Sequence, residues 1–226
     1  MVSSRTVIVA GATGLVGDEL LHQLMGDPDV AQIHVVTRRP INITSDKVVF
    51  HQNRELAVTH WQPQWPVPLQ GYICLGTTKK EAGGKKGLED VDLHLVVKVA
   101  KMMAVMGVKH LAVVSSAGSH RWSPSHYLRC KGKMEMALRG MGFERLLIAR
   151  PGPLLGERQR PRADEKILQQ WLPVFSFAFK GPLASLEPVK AVDVAKAMMK
   201  GLSEPHWPGR SDLKIVPSKT LQNYSA

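Results

Sequence analysis

The sequence predicts an α/β fold: a doubly wound, mostly parallel sheet with a small irregular C-terminal lobe. Three observations indicate this class. Apolar segments of strand length alternate with segments of helical period from residue 6 to about residue 150. The first segment, residues 6–10, is short, β-branched and apolar, as in a strand buried on both faces of a parallel sheet. A glycine-rich turn follows this strand at once and leads into a helix.

The other elements follow from the same two patterns. Apolar residues at helical spacing predict helices at 18–25, 91–106, 125–141 and 190–202. Short apolar runs predict strands at 32–36, 47–51, 72–75, 108–114, 145–149 and 213–216. Tryptophans and prolines at 56–70 indicate an irregular connection, and the basic, glycine-rich stretch 79–87 indicates a mobile loop. The chain of 226 residues is expected to form one domain, residues 1–226.

The composition is that of an ordinary globular protein with an excess of basic residues. Apolar residues make up 44% of the chain and charged residues 22%, which excludes a disordered or fibrous protein. Thirty Lys and Arg against nineteen Asp and Glu give a formal net charge of +11, which favours an anionic partner such as a nucleotide phosphate. The basic residues lack interleaved aromatic residues and no DNA-binding motif is present, so nucleic acid is not an expected partner.

Cysteine and histidine content bear on the compartment and on metal binding. Two cysteines, Cys74 and Cys130, fit a reduced, intracellular chain, and the N-terminus lacks the features of a secretory signal. We therefore expect a cytoplasmic protein. No apolar run reaches the length of a membrane span. The nine histidines show no metal-ligand spacing, so no metal site is expected.

The glycine-rich turn has the features of a phosphate-binding loop. Gly11, Gly14 and Gly17 lie between a buried strand and a helix start. Glycines at such a place permit a tight turn and bring backbone N–H groups close to a pyrophosphate at the helix N-terminus. The spacing is G-x-x-G-x-x-G, whereas the usual dehydrogenase spacing is G-x-G-x-x-G. The alternative is a plain strand-to-helix turn without a ligand.

The end of the second strand discriminates between the two nicotinamide dinucleotides. An acidic residue at this place binds the ribose hydroxyls of NAD, and an arginine accommodates the extra phosphate of NADP. The chain has Arg38 and Arg39 there and no carboxylate. Guanidinium groups pair with phosphate in a bidentate manner, so the pattern predicts NADPH. The alternative is a solvated basic turn.

A tyrosine and a lysine four residues apart suggest acid–base chemistry. On a helix Tyr127 and Lys131 share one face, and an ammonium beside a phenol stabilises the phenolate. Ser115 and Ser116 close the strand just upstream, where the active sites of such sheets lie. A serine can hydrogen-bond a substrate carbonyl while the tyrosine donates the proton. Only 11 positions separate Ser116 from Tyr127, so which serine would act stays open.

These motifs together resemble a known family. The glycine turn, Ser115-Ser116-Ala117-Gly118, the Tyr127–Lys131 pair and Arg150-Pro151-Gly152 occur in the order of the short-chain dehydrogenase/reductases. The glycine spacing and the length resemble the atypical branch. Three stretches are similar to the TIP30/CC3 (HIV-1 Tat-interactive protein 2-like) group: Leu75-Gly76-Thr77-Thr78, Tyr127-Leu128-x-x-Lys131-Gly132 and Arg150-Pro151-Gly152-x-Leu154-Leu155-x-x-Arg158-Gln159. The resemblance extends from about residue 6 to residue 200.

The resemblance implies an NADPH-binding Rossmann fold with assigned contacts. The pyrophosphate would lie on Gly11, Ala12, Thr13, Gly14, Leu15 and Val16, and the adenosine phosphate on Arg38 and Arg39. The ribose or adenine side would meet Leu75 and Gly76, with Thr77 and Ser115 completing the cofactor contacts. The nicotinamide ribose would be held by Tyr127 and Lys131. The nicotinamide end would be lined by Leu154, and Arg162 would close over the cofactor.

Two functions remain open from the sequence. The first is an NADPH-dependent reductase of a small carbonyl or quinone-like substrate, with Tyr127 as proton donor, Lys131 in support and Ser116 as the third catalytic residue. Residues 155–187 and 204–226 are then expected to form the substrate-side lobe. Their aromatic residues favour an apolar or aromatic substrate: Trp171, Phe175, Phe177, Phe179 and Trp207. The second is an NADPH-binding regulatory or scaffold protein that acts through a protein partner without turnover.

Overall fold

The computed structural model of the chain describes residues 4–155, 188–205, 207 and 212–225. Its strands are β1 (Arg5–Ala10), β2 (Val30–Thr37), β3 (Val48–Gln52), β4 (Gln70–Ile73), β5 (His110–Val114), β6 (Arg145–Arg150), β7 (Leu154–Leu155), β8 (Val189–Lys190) and β9 (Leu213–Pro217). Its α-helices are α1 (Leu15–Gly26), α2 (Lys85–Glu89), α3 (Val96–Val105), α4 (His126–Arg139), α5 (Ala191–Ser203) and α6 (Ser218–Gln222). A π-helix, Asp90–Leu95, joins α2 to α3, and a short 3-10 helix, Asn223–Ser225, follows α6.

One seven-stranded parallel sheet organises the described residues. Its strand order is β3-β2-β1-β4-β5-β6-β9, and β7 and β8 form a separate parallel pair. The predicted doubly wound α/β fold is therefore confirmed. The order of the strands reverses between β1 and β4, so their carboxyl ends flank the crevice where such sheets bind ligands.

Helices cover both faces of the sheet, and β1 shows how the sequence specifies this. Val7 and Val9 pack into a core with α1 and α5, whereas Ile8 and Ala10 pack into a second core with α3 and α4. Successive strand residues point to opposite faces, so a run that is apolar at every position is buried on both. The apolar run in the sequence therefore predicts the three-layer architecture.

Several boundaries differ from those expected. The irregular connection expected at 56–70 ends earlier, because β4 begins at Gln70. The stretch 79–87 forms hydrogen-bonded turns and then the first residues of α2, rather than a loop throughout. The helix expected at 91–106 contains the π-helix Asp90–Leu95 in its first part.

Much of the expected substrate-side lobe, including Arg162 and residues 169–179, lies outside the described residues. The strand expected at 213–216 is β9, which lies at the edge of the main sheet beside β6. The Trp207 ring lies 5.4 Å from the Arg145 guanidinium and 5.9 Å from the Lys214 ammonium. Both residues stand near the amino ends of their strands, so Trp207 is placed away from the carboxyl ends of the sheet.

A pair of histidines, of which His34 is buried and His51 part-buried, lies where the irregular connection covers β2 and β3. Nδ1 of His34 is 2.9 Å from Nε2 of His51, and the ring centroids of Trp61 and Trp65 lie 4.3 and 5.1 Å from that of His34. Burial, and secondarily the charge of His51, lower the pKa of His34 from 6.5 to about 4. His34 is therefore neutral in the folded protein at neutral pH.

This pair is expected to make the fold acid-sensitive. In the unfolded chain His34 takes up a proton near pH 6.5, whereas the folded protein takes it up only near pH 4. The free energy of unfolding should therefore fall as the pH drops through this window, by roughly 2 kcal/mol after allowance for solvent screening. Urea unfolding of the native protein, His34→Gln and the exposed-site control His94→Gln between pH 4 and 7 measures this. An equal pH dependence in all three would contradict it.

Candidate functional site

The glycine turn packs so closely that two of its positions exclude a side chain. Gly11 has φ +89°, and a Cβ there would lie 2.6 Å from the Cys74 carbonyl carbon. A Cβ on Gly17 would lie 2.0 Å from the Gly11 carbonyl oxygen. The turn therefore needs glycine at both positions, because α1 begins in direct contact with the carboxyl ends of β1 and β4.

The first turn of α1 leaves its backbone donors without a side-chain cap. Gly14 is the N-cap residue, and within the described residues no side chain accepts a hydrogen bond from the helix start. The Gly14 amide instead donates to the Gly11 carbonyl (3.1 Å), and Thr13 is exposed. Uncapped N–H groups at the positive end of a helix dipole bind anions, so this turn is suited to a phosphate group.

The two arginines lie at the same edge of the sheet as the glycine turn. Arg38 and Arg39 follow β2, which is paired with β1, and both are exposed. The Thr37 hydroxyl fixes the backbone of this turn by donating to the Arg39 carbonyl (2.7 Å). Among the described residues neither guanidinium has an ion-pair partner. The structure thus places two exposed cations next to the strand that carries the glycine turn.

A buried ion pair lies beneath the other wall of the crevice. Nζ of Lys131, on α4, is 2.8 Å from Oδ1 of Asp92, and the two side chains are 2% and 0% exposed. Lys131 also donates to the Val114 carbonyl at the end of β5 (3.3 Å). The Thr77 amide, in the loop after β4, donates to Oδ2 of Asp92 (3.1 Å). Asp92 therefore connects the β4 loop to the lysine of the predicted tyrosine–lysine pair.

The π-helix supplies this aspartate. Asp92 lies in the third position of the segment Asp90–Leu95, between α2 and α3. π-Helical turns are rare and frequently occur at functional sites. The sequence predicted a regular helix here, because periodicity does not distinguish an i→i+5 turn from an i→i+4 turn within a longer helix. The π-helical segment that replaces the predicted α-helix thus has the fully buried carboxylate of Asp92 near its centre.

The two serines after β5 have different partners. The Ser115 hydroxyl donates to the buried carboxylate of Glu135, which also accepts from Ser119 and forms an ion pair with Arg150. Ser116 instead hydrogen-bonds the Tyr127 side chain. The link of 11 positions is therefore long enough to bring a serine to the tyrosine, and the serine beside it is Ser116.

Electrostatics keep the tyrosine protonated and the lysine charged. Burial raises the pKa of Tyr127, against the lowering effects of the Lys131 charge and the Ser116 hydrogen bond. Burial lowers the pKa of Lys131, but its neighbours, with the Asp92 carboxylate foremost, outweigh this effect, so the pKa is raised overall. A protonated phenol beside a permanent ammonium can donate a hydrogen bond or a proton to a ligand oxygen.

Four other predicted contact residues lie within the described part of the chain, and a fifth does not. Leu75, Gly76 and Thr77 follow β4 at the crevice, and a Cβ on Gly76 would lie 3.4 Å from Oδ1 of Asp92 and 3.8 Å from Nζ of Lys131. Leu154 lies in β7, part-buried, just after β6. Arg162 is outside the described residues.

Two buried acidic residues of the site were not predicted from the sequence, although the spacing of each in its helix indicated a buried position. Glu135 continues the four-residue spacing of Tyr127 and Lys131 along α4, which places three polar residues on one helix face. Asp92 precedes the buried Val96 and Val99 at helical spacing, so the sequence placed an acidic residue on the apolar face of the predicted helix. A buried carboxylate needs paired donors, so each signal indicated a partner nearby.

The fold and the glycine turn define a Rossmann-type α/β protein with a turn suited to a dinucleotide phosphate. The family model HIM1 matches residues 70–177. Protein HTATIP2 of Rattus norvegicus is 29% identical over 226 residues, covering 96% of this chain and 88% of its own. Protein FMP52, mitochondrial, of Meyerozyma guilliermondii is 31% identical over 229 residues, covering 97% and 96%. The chain belongs to the family of the HTATIP2 and FMP52 proteins, the TIP30 group, as the motifs predicted.

Solved structures support the fold. MoeE5 in complex with UDP-glucuronic acid and NAD has a TM-score of 0.66 at 14% identity, covering 94% of this chain and 76% of that one. The PhqB reductase domain of Penicillium fellutanum has a TM-score of 0.64 at 16% identity, covering 96% and 67%. Both agree with a Rossmann architecture.

The expected cytoplasmic location is contradicted by the relatives. FMP52 proteins from several fungi, including Debaryomyces hansenii and Chaetomium globosum, are named as mitochondrial. The expectation was wrong because a low cysteine content reports the redox state of a compartment and not which compartment it is. Within the described residues, no helix combines the length and apolarity that crossing a bilayer requires.

Proposed function

We propose that the protein is an NADPH-dependent reductase of a small carbonyl or quinone-like substrate. The observation that carries this proposal is that the Asp92–Lys131 ion pair lies at the carboxyl edge of the sheet, close enough to the hydrogen-bonded Ser116 and Tyr127 for Lys131 to shift the pKa of Tyr127. A proton donor, a fixed positive charge and a hydroxyl stand together beside a turn suited to a dinucleotide. This combination serves carbonyl reduction, which needs a proton on oxygen as a hydride reaches carbon.

The cofactor would bind in the crevice between the carboxyl ends of β1 and β4. The uncapped start of α1 and the tight turn at Gly11 would receive the pyrophosphate, as the NAD complex of the structurally similar MoeE5 leads us to expect. The adenosine side would lie toward Arg38 and Arg39. The nicotinamide end would lie toward Tyr127 and Lys131, and bound NADPH would supply a hydride there. Leu154 would line that end, and Arg162 would close over it.

Each residue of the cluster has a separate task in the reaction. The Ser116 hydroxyl would donate a hydrogen bond to the substrate carbonyl, and the Tyr127 phenol would transfer its proton to the same oxygen. Lys131 stabilises the phenolate left on Tyr127, which regains a proton from solvent. Asp92 holds the Lys131 ammonium in place and compensates for its burial. The result is an alcohol, or a hydroquinone from a quinone.

The substrate would be bound by the lobe that follows the strand ends. We assign this lobe to residues 155–187 and to parts of 204–226 on the basis of the sequence order, and its aromatic content favours an apolar or aromatic substrate. A panel of aldehydes, ketones and quinones, assayed for NADPH oxidation, tests the proposal. We expect turnover with at least one class. Oxidation of no compound by protein that binds NADPH would contradict it.

The choice of cofactor is expected to depend on the two arginines. Charge-assisted hydrogen bonds from Arg38 and Arg39 to the 2′-phosphate should favour NADPH over NADH by roughly ten- to a thousandfold, allowing for their exposure. The double variant Arg38→Ala, Arg39→Ala should lose this preference while its NADH affinity changes little. Calorimetric titration of both cofactors measures it.

Arg139→Ala is the matched control for this experiment. It removes an exposed arginine at the last residue of α4, remote from β2, and should keep the preference. Equal affinities of the unmodified protein for NADPH and NADH would contradict the assignment of the arginines.

A further inference from the structure

Three side chains of metal-ligand type meet where α2 contacts α4. Glu89 is the last residue of α2, and His126 and Cys130 lie four residues apart on α4. A carboxylate oxygen, an imidazole nitrogen and the thiol sulfur of these residues all lie within 4.8 Å of one another. We propose that Glu89, His126 and Cys130 bind a zinc ion that clips α2 to the first turns of α4.

The distances fit tetrahedral zinc. Cys130 Sγ and His126 Nε2 are 3.6 Å apart. Bonds of about 2.3 Å to sulfur and about 2.1 Å to nitrogen, at a tetrahedral angle, place these two atoms about 3.6 Å apart. The same nitrogen is 3.9 Å from Oε2 of Glu89. The ideal separation is about 3.4 Å, so a carboxylate shift of about half an ångström completes the three-ligand set.

Burial and neighbouring groups suit an ion that enters from solvent. The thiol of Cys130 is buried, whereas His126 and Glu89 are 22% and 33% exposed and leave a path to the site. The Lys85 carbonyl oxygen lies 3.1 Å from His126 Nε2, so this carbonyl or a water can take the fourth position. Thiolate, imidazole and carboxylate together favour zinc over the oxygen-seeking magnesium and calcium.

Binding must release a proton from the thiol. Burial raises the pKa of Cys130, and the charges of Glu89 and Asp92 raise it further, so the thiol is protonated without metal. On binding, the S–H proton passes to solvent as the zinc–sulfur bond forms. His126 must present the Nε2 lone pair and carry its proton on Nδ1. On binding, Nε2 therefore exchanges its hydrogen bond to the Lys85 carbonyl for the metal, and the Arg129 guanidinium, 3.4 Å from Nδ1, turns away. The Arg129 and Lys133 charges oppose a cation here, and the thiolate and carboxylates offset them.

A zinc ion at this site would bind residues that adjoin the proposed catalytic residues in the sequence. Its helix ligands His126 and Cys130 are next in sequence to Tyr127 and Lys131, and Glu89 directly precedes the π-helix that carries Asp92. A bound ion would thus fix α2 and α4 on either side of the Asp92–Lys131 pair. The sequence showed no metal-ligand spacing because Glu89 comes from another helix.

Cobalt and zinc titrations of the full-length protein, freed of any histidine tag, test the proposal. One Co²⁺ per chain should give visible bands of tetrahedral cobalt and a thiolate-to-cobalt charge-transfer band in the near ultraviolet. Zinc should displace it with a submicromolar Kd, measured against a chromogenic chelator, raise Tm, and release about one proton per ion at neutral pH. Cys130→Ser should abolish the charge-transfer band.

Further variants keep the test decisive. His126→Ala and Glu89→Gln should each weaken zinc at least about tenfold, and Glu89→Gln changes a part-exposed side chain whose loss the fold should tolerate. His94→Ala, an exposed histidine on the neighbouring π-helix, and Cys74→Ser should keep the cobalt spectrum. Absence of the charge-transfer band in the native protein, or its persistence in Cys130→Ser, would overturn the proposal.

Discussion

Replacing Tyr127 by phenylalanine is expected to lower kcat for NADPH-dependent carbonyl reduction by about a thousandfold, within the range typical of a lost general acid. The ring and its packing remain, but the phenol that Ser116 hydrogen-bonds and that Lys131 faces is gone. NADPH affinity should stay within a few fold, because the pyrophosphate and arginine contacts lie on other elements.

Tyr72→Phe is the matched control for that experiment. It removes another tyrosine hydroxyl, the one that donates to the Gln70 side chain (3.0 Å), from a fully buried position in β4. It should cost about 1 kcal/mol of stability and leave kcat unchanged. Steady-state kinetics and NADPH titration of the three proteins give the comparison. Equal kcat in native protein and Tyr127→Phe would remove Tyr127 from the mechanism.

Gly17→Ala is expected to destabilise the protein by about 3 kcal/mol. The new methyl carbon would lie 2.0 Å from the Gly11 carbonyl oxygen and 2.7 Å from the Gly11 carbonyl carbon. These are backbone atoms, so relief requires α1 to move away from the turn, and overpacking of this kind is costly. The same movement should weaken NADPH at least about tenfold, because it displaces the N–H groups proposed to hold the pyrophosphate.

Gly26→Ala gives the contrast on the same helix. Among the described residues outside its own helix turn, no heavy atom lies within 4 Å of a Cβ added at Gly26, so alanine should be neutral or stabilising by up to about 1 kcal/mol. Urea unfolding and NADPH titration of the two variants separate the effect of the contact from that of helix propensity. A loss in Gly17→Ala no larger than that in Gly26→Ala would show that the turn tolerates a side chain.

The part of the fold around β1 could be predicted because its signals are local. A strand buried on both faces is apolar at every position, and a turn that excludes Cβ atoms requires Gly11 and Gly17. Both facts are visible in a few consecutive residues. Ser125, the N-cap whose hydroxyl accepts from the Leu128 amide, likewise marks the start of α4 in the sequence.

Elements that depend on distant partners could not be predicted. The two-residue strands β7 and β8 pair across more than thirty residues, and neither has a pattern of its own. The start of β4 at Gln70-Gly71 lacks β-branched residues. Its glycine leaves room for neighbouring side chains, since a Cβ on Gly71 would lie 2.9 Å from the Met103 sulfur and would require that flexible side chain to shift. Such requirements become visible only when the partner is in place.

The same distinction applies to the candidate site. Tyr127, Lys131 and Ser116 were predicted because they follow a spacing within one helix and one strand end. Asp92 was not, because its role depends on the π-helix and on a lysine 39 positions away, 2.8 Å distant in the fold. The motifs therefore predicted the groups that we propose touch a substrate, and they did not predict the buried acid that pairs with one of them.

Transfer of deuterium from NADPH that carries two deuterium atoms at nicotinamide C4 into an alcohol product tests the central claim most directly. We predict that the native protein incubated with a reactive member of the aldehyde, ketone and quinone panel gives an alcohol or hydroquinone. With an aldehyde or ketone, mass spectrometry should show one deuterium on the former carbonyl carbon. Tyr127→Phe should give almost none in the same time. Stoichiometric NADPH binding with no deuterated alcohol from any aldehyde or ketone, and no NADPH oxidation by any quinone, would contradict the reductase assignment and favour a cofactor-binding regulatory protein.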